Sequence, residues 1–361
     1  MKTYRIASIP GDGIGSEVIS AGLDVLRAVA DREGFALDIT DFDWGSERYL
    51  ATGAMMPADG LDQLRDMDAI YFGSAGDPRV PDHISLWGLR LAICQPFDQY
   101  ANVRPALILP GLQSPLRGIG PGDLDWVIVR ENSEGEYAGA GGRAHQAHSH
   151  EVGMDVAVFT RLGVERIQRF AFELAQKRPA KHLTLVTKSN AQRHGMVMWD
   201  DVFHAVRDDY PDVSVDRVLV DAMTTRMVLH PDMIDVVVAT NLHADILSDL
   251  AAALTGSLGL APTANLNPER VFPSMFEPIH GSAFDIMGRG IANPIGSFWS
   301  AAMMLDHLGE AVASRALLNA VERLTNEGHV LPADLGGSAT TQEVKDEVLR
   351  HISGGNADVA D

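Results

Sequence analysis

Two aspartates in the segment NLHADILSDL, which begins at Asn241, are spaced as metal ligands could be. The apolar, β-branched run 235–240 before it is typical of a buried strand, and Asn241 is a good N-cap for a helix over 242–254. Asp245 and Asp249 then face the same way, with Cβ atoms about 6 Å apart. Mg²⁺ or Mn²⁺, which prefer carboxylate oxygens, would relieve their repulsion. The alternative is a solvated helix face.

Two arginines are predicted to lie where an open α/β sheet binds its ligands. Arg104, in YANVRP, and Arg130, in VIVREN, each stand at or just past the end of an apolar, strand-like run. Ligands bind outside the ends of such strands, and a planar guanidinium holds a carboxylate through two hydrogen bonds. The pair indicates a site for an acidic ligand, with two structural ion pairs as the alternative.

Three further residues could complete such a site. Tyr137 follows the charged stretch RENSEGE, and its hydroxyl could serve as an acid. Lys188 ends a buried strand in LTLVTKSN, where burial and a nearby cation would lower its pKa and make it a base. Asp221, which also follows a strand, would add a third carboxylate to the predicted metal shell. An ordinary buried tyrosine and a solvated lysine are the alternatives.

The segment EPIHGSAFDI, with GIANP soon after it, has the features of a nucleotide-binding loop. Its small residues let backbone amides approach a ligand, and Asp285 could accept both hydroxyls of an adenine ribose while repelling a 2′-phosphate. The candidate nucleotide-binding residues are His280, Gly281, Ser282, Ala283, Asp285 and Asn293.

Two other motifs carry weaker signals. The glycines of GDGIG fall at positions 11, 13 and 15, but the dinucleotide fingerprint G-x-G-x-x-G needs a glycine at position 16, which is Ser16. A tight turn without a ligand is at least as consistent with this spacing. The histidines of HQAHSH (His145, His148 and His150) could bind a metal, but histidines crowded on a glycine-rich loop are more typical of an exposed surface.

Alternating strands and helices predict an α/β protein with a largely parallel sheet. The predicted strands are Tyr4–Pro10, Ala36–Asp43, Ala69–Phe72, Leu124–Val129, Leu183–Thr187, Val213–Val220 and Val236–Thr240, with a strand or hairpin at Glu151–Phe159. The predicted helices, besides 242–254, are Ser16–Asp31, Ile84–Tyr100 with an interruption at Pro96, Arg161–Arg178, Met196–Asp209, Ile295–Gly309 and Ala311–Glu327. We expect a loop-rich segment from Thr255 to Pro294 and a domain boundary near residue 103.

Composition excludes several classes of protein. A formal net charge of −20 argues against a nucleic-acid binder, and any anionic ligand must be held by a local cluster of Arg and Lys or by a metal. The single cysteine, Cys94, fits a reducing compartment. No apolar run approaches the roughly 18–20 residues of a membrane span, and no signal segment opens the chain. We therefore expect a cytoplasmic protein.

The motifs IPGDGIG, YANVRP, VRENSEGEY, TKSN, LVDAM, NLHADILSDL, EPIHGSA and GIANP occur in this order along nearly the whole chain. In this series the sequence resembles the β-decarboxylating dehydrogenases, the family of isocitrate, 3-isopropylmalate, D-malate and tartrate dehydrogenases. The resemblance implies the two-domain isopropylmalate-dehydrogenase-like sheet fold, which is not a Rossmann fold. It also implies a homodimer with shared active sites.

The resemblance assigns a role to each candidate residue. Arg104 and Arg130 would bind the substrate carboxylates. Lys188 would take the C2 hydroxyl proton, and Tyr137 would reprotonate the enol left by loss of CO₂. The metal ligands would be Asp221, Asp245 and Asp249. The adenosine of NAD would be held by His280–Asp285 and Asn293, with Asp285 favouring NAD over NADP.

The family fold also implies how the chain is divided. Residues 1–103 and 255–361 would form a large domain carrying the NAD site. Residues 104–254 would form a small domain with the metal and substrate residues and the dimer interface, including an arm near 138–160. Lys188 and Asp221 would be contributed to each active site by the partner subunit.

The activity implied is NAD-dependent oxidation of C4 2-hydroxy diacids such as tartrate and D-malate, with decarboxylation of D-malate. Mn²⁺ or Mg²⁺ would assist, with K⁺ as a further candidate ion.

The family usually has an arginine where this chain has Cys94. Arg90 stands one helical turn earlier, so either it reaches the same substrate carboxylate or that contact is lost. The alternative substrate is 3-isopropylmalate, but Trp87 and Arg90 occupy the segment expected to form its apolar pocket. Rival classes are a non-catalytic anion-binding protein and a phosphoryl-transfer enzyme, for which no P-loop lysine follows GDGIG.

Overall fold

The structure, a computed structural model, describes residues 1–354. Its strands are β1 (Thr3–Gly11), β2 (Ala36–Asp41), β3 (Ala69–Ser74), β4 (Ala101–Leu107), β5 (Asp125–Glu131), β6 (Gly135–Ala144), β7 (Val152–Val158), β8 (His182–Thr187), β9 (Ser214–Leu219), β10 (Val236–Ala239), β11 (Pro262–Leu266) and β12 (Ser274–Pro278). Its α-helices are α1 (Gly15–Glu33), α2 (Ser46–Thr52), α3 (Gly60–Arg65), α4 (Asp82–Ser85), α5 (Leu91–Cys94), α6 (Arg161–Lys177), α7 (Gly195–Arg207), α8 (Val220–Leu229), α9 (Asn241–Thr255), α10 (Ile295–His307), α11 (Ala311–Glu327) and α12 (Thr341–Ser353).

Ten of the strands form one sheet in the order β2-β1-β3-β12-β11-β4-β5-β10-β8-β9, and β6 and β7 form a separate hairpin. Towards both edges the neighbours are parallel. At the centre, β11 runs antiparallel to β12 and β4, and β4 runs antiparallel to β5. The predicted α/β fold with a largely parallel sheet is confirmed, and its antiparallel pairs are confined to the middle.

One apolar core extends beneath most of this sheet. Val18 of α1, Phe298 of α10, Trp126 of β5 and Leu247 of α9 belong to a single buried cluster. A second cluster forms where α6 and α7 pack on β8 and β10, around Trp199. The helices that follow the strands therefore hold the sheet in place. Arg130 lies near the end of β5 as predicted, whereas Arg104 lies in the middle of β4 and not at the end of a strand.

The segment from Thr255 to Pro294 is loop-rich as predicted, but the prediction missed two strands. Strands β11 and β12 lie within it and occupy the centre of the sheet. Each has only five residues, and Pro262 and Pro278 pair with each other at their ends. Proline is tolerated at a strand end, where the missing N–H is not needed. The prolines thus bound two buried strands rather than excluding them.

Smaller differences concern helix ends. Thr240, not Asn241, is the N-cap of α9, since its hydroxyl accepts a hydrogen bond from the His243 amide. Asn241 is the first helical residue, and its side chain is free for another role. The unpredicted helix α12 begins with a capping box between Thr340 and Glu343, a signal that is visible in the sequence.

Side-chain alternation in the central strands separates a polar face from an apolar one. Asn102 and Arg104 of β4 lie on the same face as Asn265 of β11, which is directly opposite Asn102. Glu277 of β12 is on this face too, because it pairs with Thr263, two residues from Asn265. Polar side chains at alternate positions of three buried strands therefore converge on one region.

Candidate active site

Asp245 of α9 is the point on which three of the predicted residues converge. Arg104 Nη1 donates to Asp245 Oδ1 over 3.0 Å, and Arg130 Nη1 donates to the same oxygen. The Tyr137 hydroxyl donates to Asp245 Oδ2 over 3.4 Å. The two guanidiniums are 6% and 3% exposed, whereas Asp245 is 35% exposed. The arginines are therefore built into the sheet, and the carboxylate faces the opening.

Neighbouring amides and hydroxyls fix the position of both arginines. Asn102 Oδ1 accepts from Arg104 Nε over 2.8 Å, and Ser248 Oγ accepts from Arg104 Nη1 over 2.6 Å. Asn241 Oδ1 accepts from Arg130 Nε over 2.9 Å and also from Nη2. These contacts explain why Asn241 is not the N-cap of α9: its oxygen is needed by Arg130.

The charges of this cluster act on each other in a water-poor setting. Burial lowers the pKa of Arg104 to about 10, helped by the charge of Arg130, and burial also lowers the pKa of Arg130. Both still carry a positive charge at neutral pH. Burial alone would raise the pKa of Asp245, but the guanidiniums of Arg130, Arg104 and Arg90 outweigh it and lower that pKa.

Asp249, one turn further along α9, has the opposite environment. Its pKa is raised, first by burial and then by the negative charge of Asp245. Within residues 1–354 no Lys or Arg lies within ion-pair distance of its carboxylate. Paired carboxylates of which one has no counter-ion are a donor set suited to a divalent cation. Asp245 and Asp249 thus fit the predicted metal, and Arg104 and Arg130 fit an acidic ligand beside it.

Arg90 lies at the rim of this cluster, and its guanidinium is hydrogen-bonded to other side chains of the sheet. Its Nε donates to Glu277 Oε1 over 2.8 Å, and its Nη2 donates to Asn265 Oδ1 over 3.1 Å. Together with Arg104 and His280, it lines a cavity of about 120 Å³. Cys94 is buried behind it, and burial raises the pKa of this thiol to about 12, so it is not a reactive group.

The predicted nucleotide loop borders the same cavity. His280 is buried and its Nε2 has no hydrogen-bond partner in the described residues, which is also true of Ser282 Oγ. Buried polar atoms without partners mark a place where a polar ligand can supply them. Gly281 is exposed with open space around it, and Asp285 is exposed. These features fit a dinucleotide.

Asn293, the remaining nucleotide candidate, is engaged within the fold. Its Nδ2 donates to Asp334 Oδ2 over 2.9 Å, and its Oδ1 accepts from the Ile295 amide over 3.0 Å. It is buried at the start of α10. The structure therefore shows a helix-anchoring role for Asn293.

The GDGIG turn supports the nucleotide loop. Gly13 has φ +58°, and a Cβ there would lie 1.9 Å from the Ser282 carbonyl oxygen, which accepts from the Ile14 amide over 2.9 Å. Asp12 ties the turn to its neighbours by accepting from the Ser46 amide over 2.7 Å. Gly13 is therefore needed for the close packing of two backbone segments. This role does not require the glycine spacing of the dinucleotide fingerprint.

The sequence profile of the isocitrate/isopropylmalate dehydrogenase family matches residues 5–348. The chain belongs to this family. It is 65% identical over 357 residues to a protein of Agrobacterium vitis named probable tartrate dehydrogenase/decarboxylase, covering 99% of both chains. It is 52% identical over 359 residues to D-malate dehydrogenase [decarboxylating] of Escherichia coli strain K12, covering 98% of this chain and 99% of the other.

Solved structures agree with this assignment. The crystal structure of isocitrate dehydrogenase from Methylococcus capsulatus has a TM-score of 0.88 at 33% identity, covering 97% of this chain and 99% of that chain. The predicted family and the isopropylmalate-dehydrogenase-like fold are confirmed. No helix within residues 1–354 is long and apolar enough to cross a membrane.

Lys188 and Asp221 lie apart from the other candidates within one chain of this dehydrogenase. They form an ion pair with each other at the ends of β8 and β9, with side chains 29% and 65% exposed. Among residues 1–354, Asp221 does not form a cluster of close ligand atoms with Asp245 and Asp249. Lys188 has a carboxylate beside it, not the cation expected from the sequence.

The histidines at the tip of the β6–β7 hairpin are exposed. The His145 and His150 ring centroids are 4.7 Å apart, and those of His148 and His150 are 5.4 Å apart. The sequence Tyr137–His150, which is rich in glycine and histidine, favours a loop, but the segment as far as Ala144 belongs to strand β6, since its backbone pairs with β7. The predicted strand or hairpin at Glu151–Phe159 is confirmed by β7.

Sequence reasoning missed the residues that hold the arginines. Asn102, Asn241, Ser248, Asn265 and Glu277 are buried and hydrogen-bonded to Arg90, Arg104 or Arg130. One signal was available, because a polar side chain inside a buried strand must have a partner. The asparagines of YANVRP and TANLN are such residues.

Proposed function

We propose that this dehydrogenase oxidises C4 2-hydroxy diacids, tartrate and D-malate, with NAD⁺ and Mn²⁺ or Mg²⁺, and that it decarboxylates the product of D-malate oxidation. The observation that carries the proposal is the buried Arg104–Arg130 pair donating to one oxygen of Asp245. Two fixed cations converging on one point suit a doubly charged, small acid. The names of its relatives, tartrate dehydrogenase/decarboxylase and D-malate dehydrogenase, support this substrate class.

The acidic substrate would take over contacts that Asp245 makes now. Hydrogen bonds to Asn102, Ser248 and Asn241 fix the guanidiniums of Arg104 and Arg130. The substrate carboxylates would therefore bind to a preorganised pair of cations. Arg90, which Glu277 and Asn265 hold in place, would contact the substrate from the side. A guanidinium at this position makes the pocket small and polar, which favours a C4 diacid over 3-isopropylmalate.

Asp245 and Asp249 would hold the metal together with Asp221 of a second subunit. A metal held there would supply Lewis-acid polarisation of a substrate oxygen and would stabilise negative charge that develops on it. Asp249, which has no counter-ion among residues 1–354, would gain most from the added charge. With Asp245 engaged at the metal, the donors of Arg104 and Arg130 that it accepts from now would be available to the substrate.

Two residues would move the protons. Tyr137 donates to Asp245, and its pKa is raised by burial and by that carboxylate, so the phenol keeps its proton at neutral pH and can serve as an acid. Lys188 would accept the C2 hydroxyl proton as hydride passes to NAD⁺. His280 and Ser282 would turn their unpaired polar atoms to the cofactor, and the exposed Asp285 would accept the ribose hydroxyls.

A second copy of the chain would complete the site. Val152, Met154, Val156 and Val158 alternate along β7 and are all exposed, as are Leu242 and Ile246 of α9 and Val228 and Leu229 of α8. Exposed apolar residues of this number mark a protein interface. Asp221 lies on α8 beside this surface. The proposed homodimer would thus bring Lys188 and Asp221 of one subunit to the Asp245 of the other.

The division into domains remains part of this proposal. The large domain would comprise 1–103 and 255–361, of which the last seven residues lie outside the described part. The small domain would comprise 104–254, with the β6–β7 hairpin as the arm near 138–160. The sheet supports a junction near residue 103, because β4 lies between the two parallel blocks.

NADH formation at 340 nm with Mn²⁺ tests the proposal. D-malate, L-tartrate, meso-tartrate, isocitrate and 3-isopropylmalate are compared side by side with NAD⁺ and NADP⁺. Activity on D-malate and tartrate with NAD⁺ is the expected result. A preference for 3-isopropylmalate would overturn the substrate class, and no NADH formation with any of them would favour the non-catalytic alternative.

A further inference from the structure

Away from the active site, α11 and α12 bring three metal-ligating side chains together. Glu327, Glu347 and His351 offer ligand atoms that all lie within 4.8 Å of one another. Glu347 and His351 are one turn apart on α12, and Glu327 is the last residue of α11. A ligand bound here would join the C-terminal helix to the helix before it.

A network of surface ion pairs does not account for the burial of His351. Its side chain is only 3% exposed, and its Nε2 has no hydrogen-bond partner within residues 1–354. A buried polar nitrogen left without a partner is costly. Neutral imidazole is the form that binds metals.

Two of the three distances between the ligand atoms are close to those around a tetrahedral metal. His351 Nε2 lies 3.4 Å from Glu347 Oε1 and 3.6 Å from Glu327 Oε2. Ligands about 2.0–2.1 Å from a tetrahedral Zn²⁺ are about 3.3–3.4 Å from each other. An ion can therefore reach all three atoms with small side-chain adjustments.

Arg350 now stands where the cation would bind. Its Nη2 donates to Glu327 Oε2 over 3.2 Å and also to Glu347 Oε1, and its Nε donates to Glu347 Oε2 over 3.0 Å. Its side chain is 60% exposed, so it can swing into solvent at little cost. As a cation it holds the two carboxylates together, but it leaves His351 Nε2 without a hydrogen-bond partner in the described part of the chain.

We propose that Glu327, Glu347 and His351 form a second metal site, distinct from the aspartate site of the proposed function, that takes Zn²⁺ or a similar borderline divalent ion. One nitrogen and two carboxylate oxygens suit Zn²⁺, whereas Mg²⁺ prefers oxygen ligands alone. Water completes the shell, and Arg350 is released. The net charge of −20 favours cation uptake in general.

Zn²⁺ binding to the full-length, metal-stripped protein tests this site by titration calorimetry with Mg²⁺ in large excess. We expect one Zn²⁺ per chain that Mg²⁺ does not displace, and a higher melting temperature with Zn²⁺. Glu347→Gln, a change at a partly exposed position, should lose this ion, and His351→Ala should lose it too. Asp249→Asn should keep it, which separates this site from the proposed active site.

Arg350→Ala decides between a metal site and a simple ion-pair network. If Arg350 competes with the ion, its removal should tighten Zn²⁺ binding severalfold. Zn²⁺ binding that is the same in Glu347→Gln as in the unmodified chain, or weaker in Arg350→Ala, would overturn the proposal. So would an NMR titration showing His351 protonated and paired with both carboxylates at neutral pH.

Discussion

Asp245 and Asp249 lie one turn apart on α9, yet their pKa values shift in opposite directions. Burial raises the pKa of each, but the guanidiniums of Arg130 and Arg104 reverse the shift only at Asp245, whose oxygen they contact. Asp249 instead receives the repulsion of Asp245. One helix face thus offers a carboxylate already neutralised by arginine and another that still needs a cation.

We expect Asp249→Asn to weaken Mn²⁺ binding strongly while leaving the metal-free protein as stable as before or more so. The substitution removes a ligand but also removes the repulsion with Asp245. Calorimetric Mn²⁺ titration and melting temperatures with and without metal measure the two effects. Asp245→Asn is the matched control, since it strips Arg104 and Arg130 of their partner and should destabilise the metal-free form. A stability loss in metal-free Asp249→Asn would contradict this account.

The raised pKa of Asp249 also predicts that the stability of the metal-free protein depends on pH. Because the folded-state pKa of Asp249 is raised above its unfolded value of 3.8, the folded state holds this proton more tightly than the unfolded state does. Its contribution to stability is therefore fully present below the unfolded pKa and is lost as pH rises through the folded one. The difference in unfolding free energy between the unmodified chain and Asp249→Asn should grow over that interval. Saturating Mn²⁺ should reverse the sign of the slope in the unmodified chain, because a carboxylate must lose its proton to bind the metal.

Arg130→Met should cost roughly 1–3 kcal/mol of stability, because it leaves the buried Asn241 Oδ1 without its donor and removes one of the two guanidiniums that donate to Asp245. Urea unfolding measures the loss. Arg130→Lys keeps the charge but cannot reproduce the fork that Asn241 and Asp245 accept from, so its kcat/KM should fall at least tenfold with less loss of stability. Equal kcat/KM in Arg130→Lys and the unmodified enzyme would show that the fork is not used.

How much of this site the sequence predicts depends on how far apart along the chain the interacting residues lie. Arg130, Asp245 and Asp249 could be placed because they lie on the strand β5 and the helix α9, which periodicity reveals. The contacts that hold Arg90 and Arg104 could not, because Asn102 meets Asn265 across 163 residues and only the pairing of β4 with β11 brings them together. The prolines around β11 and β12 concealed both strands, and with them the centre of the sheet.

Tyr137→Phe should separate oxidation from decarboxylation. It removes the hydroxyl but keeps the ring, which packs 5.4 Å from the Arg130 guanidinium. Loss of a general acid costs about 10²–10⁴-fold, so D-malate turnover to pyruvate should fall by that order. Tartrate oxidation that ends without loss of CO₂ should fall much less. NADH and CO₂ release are measured together on both substrates, and a parallel loss on both would remove Tyr137 from the protonation step.

Lys188→Met should abolish turnover while retaining NAD binding, and mixing experiments can show which subunit Lys188 serves. Lys188→Met and Asp245→Asn are each expected to be inactive. If Lys188 of one subunit acts at the Asp245 of the other, a hybrid dimer of the two variants has one intact site. Random reassortment of a symmetric dimer makes half of the dimers hybrids, so about a quarter of the original activity should return on mixing and refolding. If Lys188 acts within its own chain, every site in the mixture carries a defect, and no activity should return. The exposed Lys188–Asp221 pair, set apart from Asp245 in a single chain, favours the first outcome.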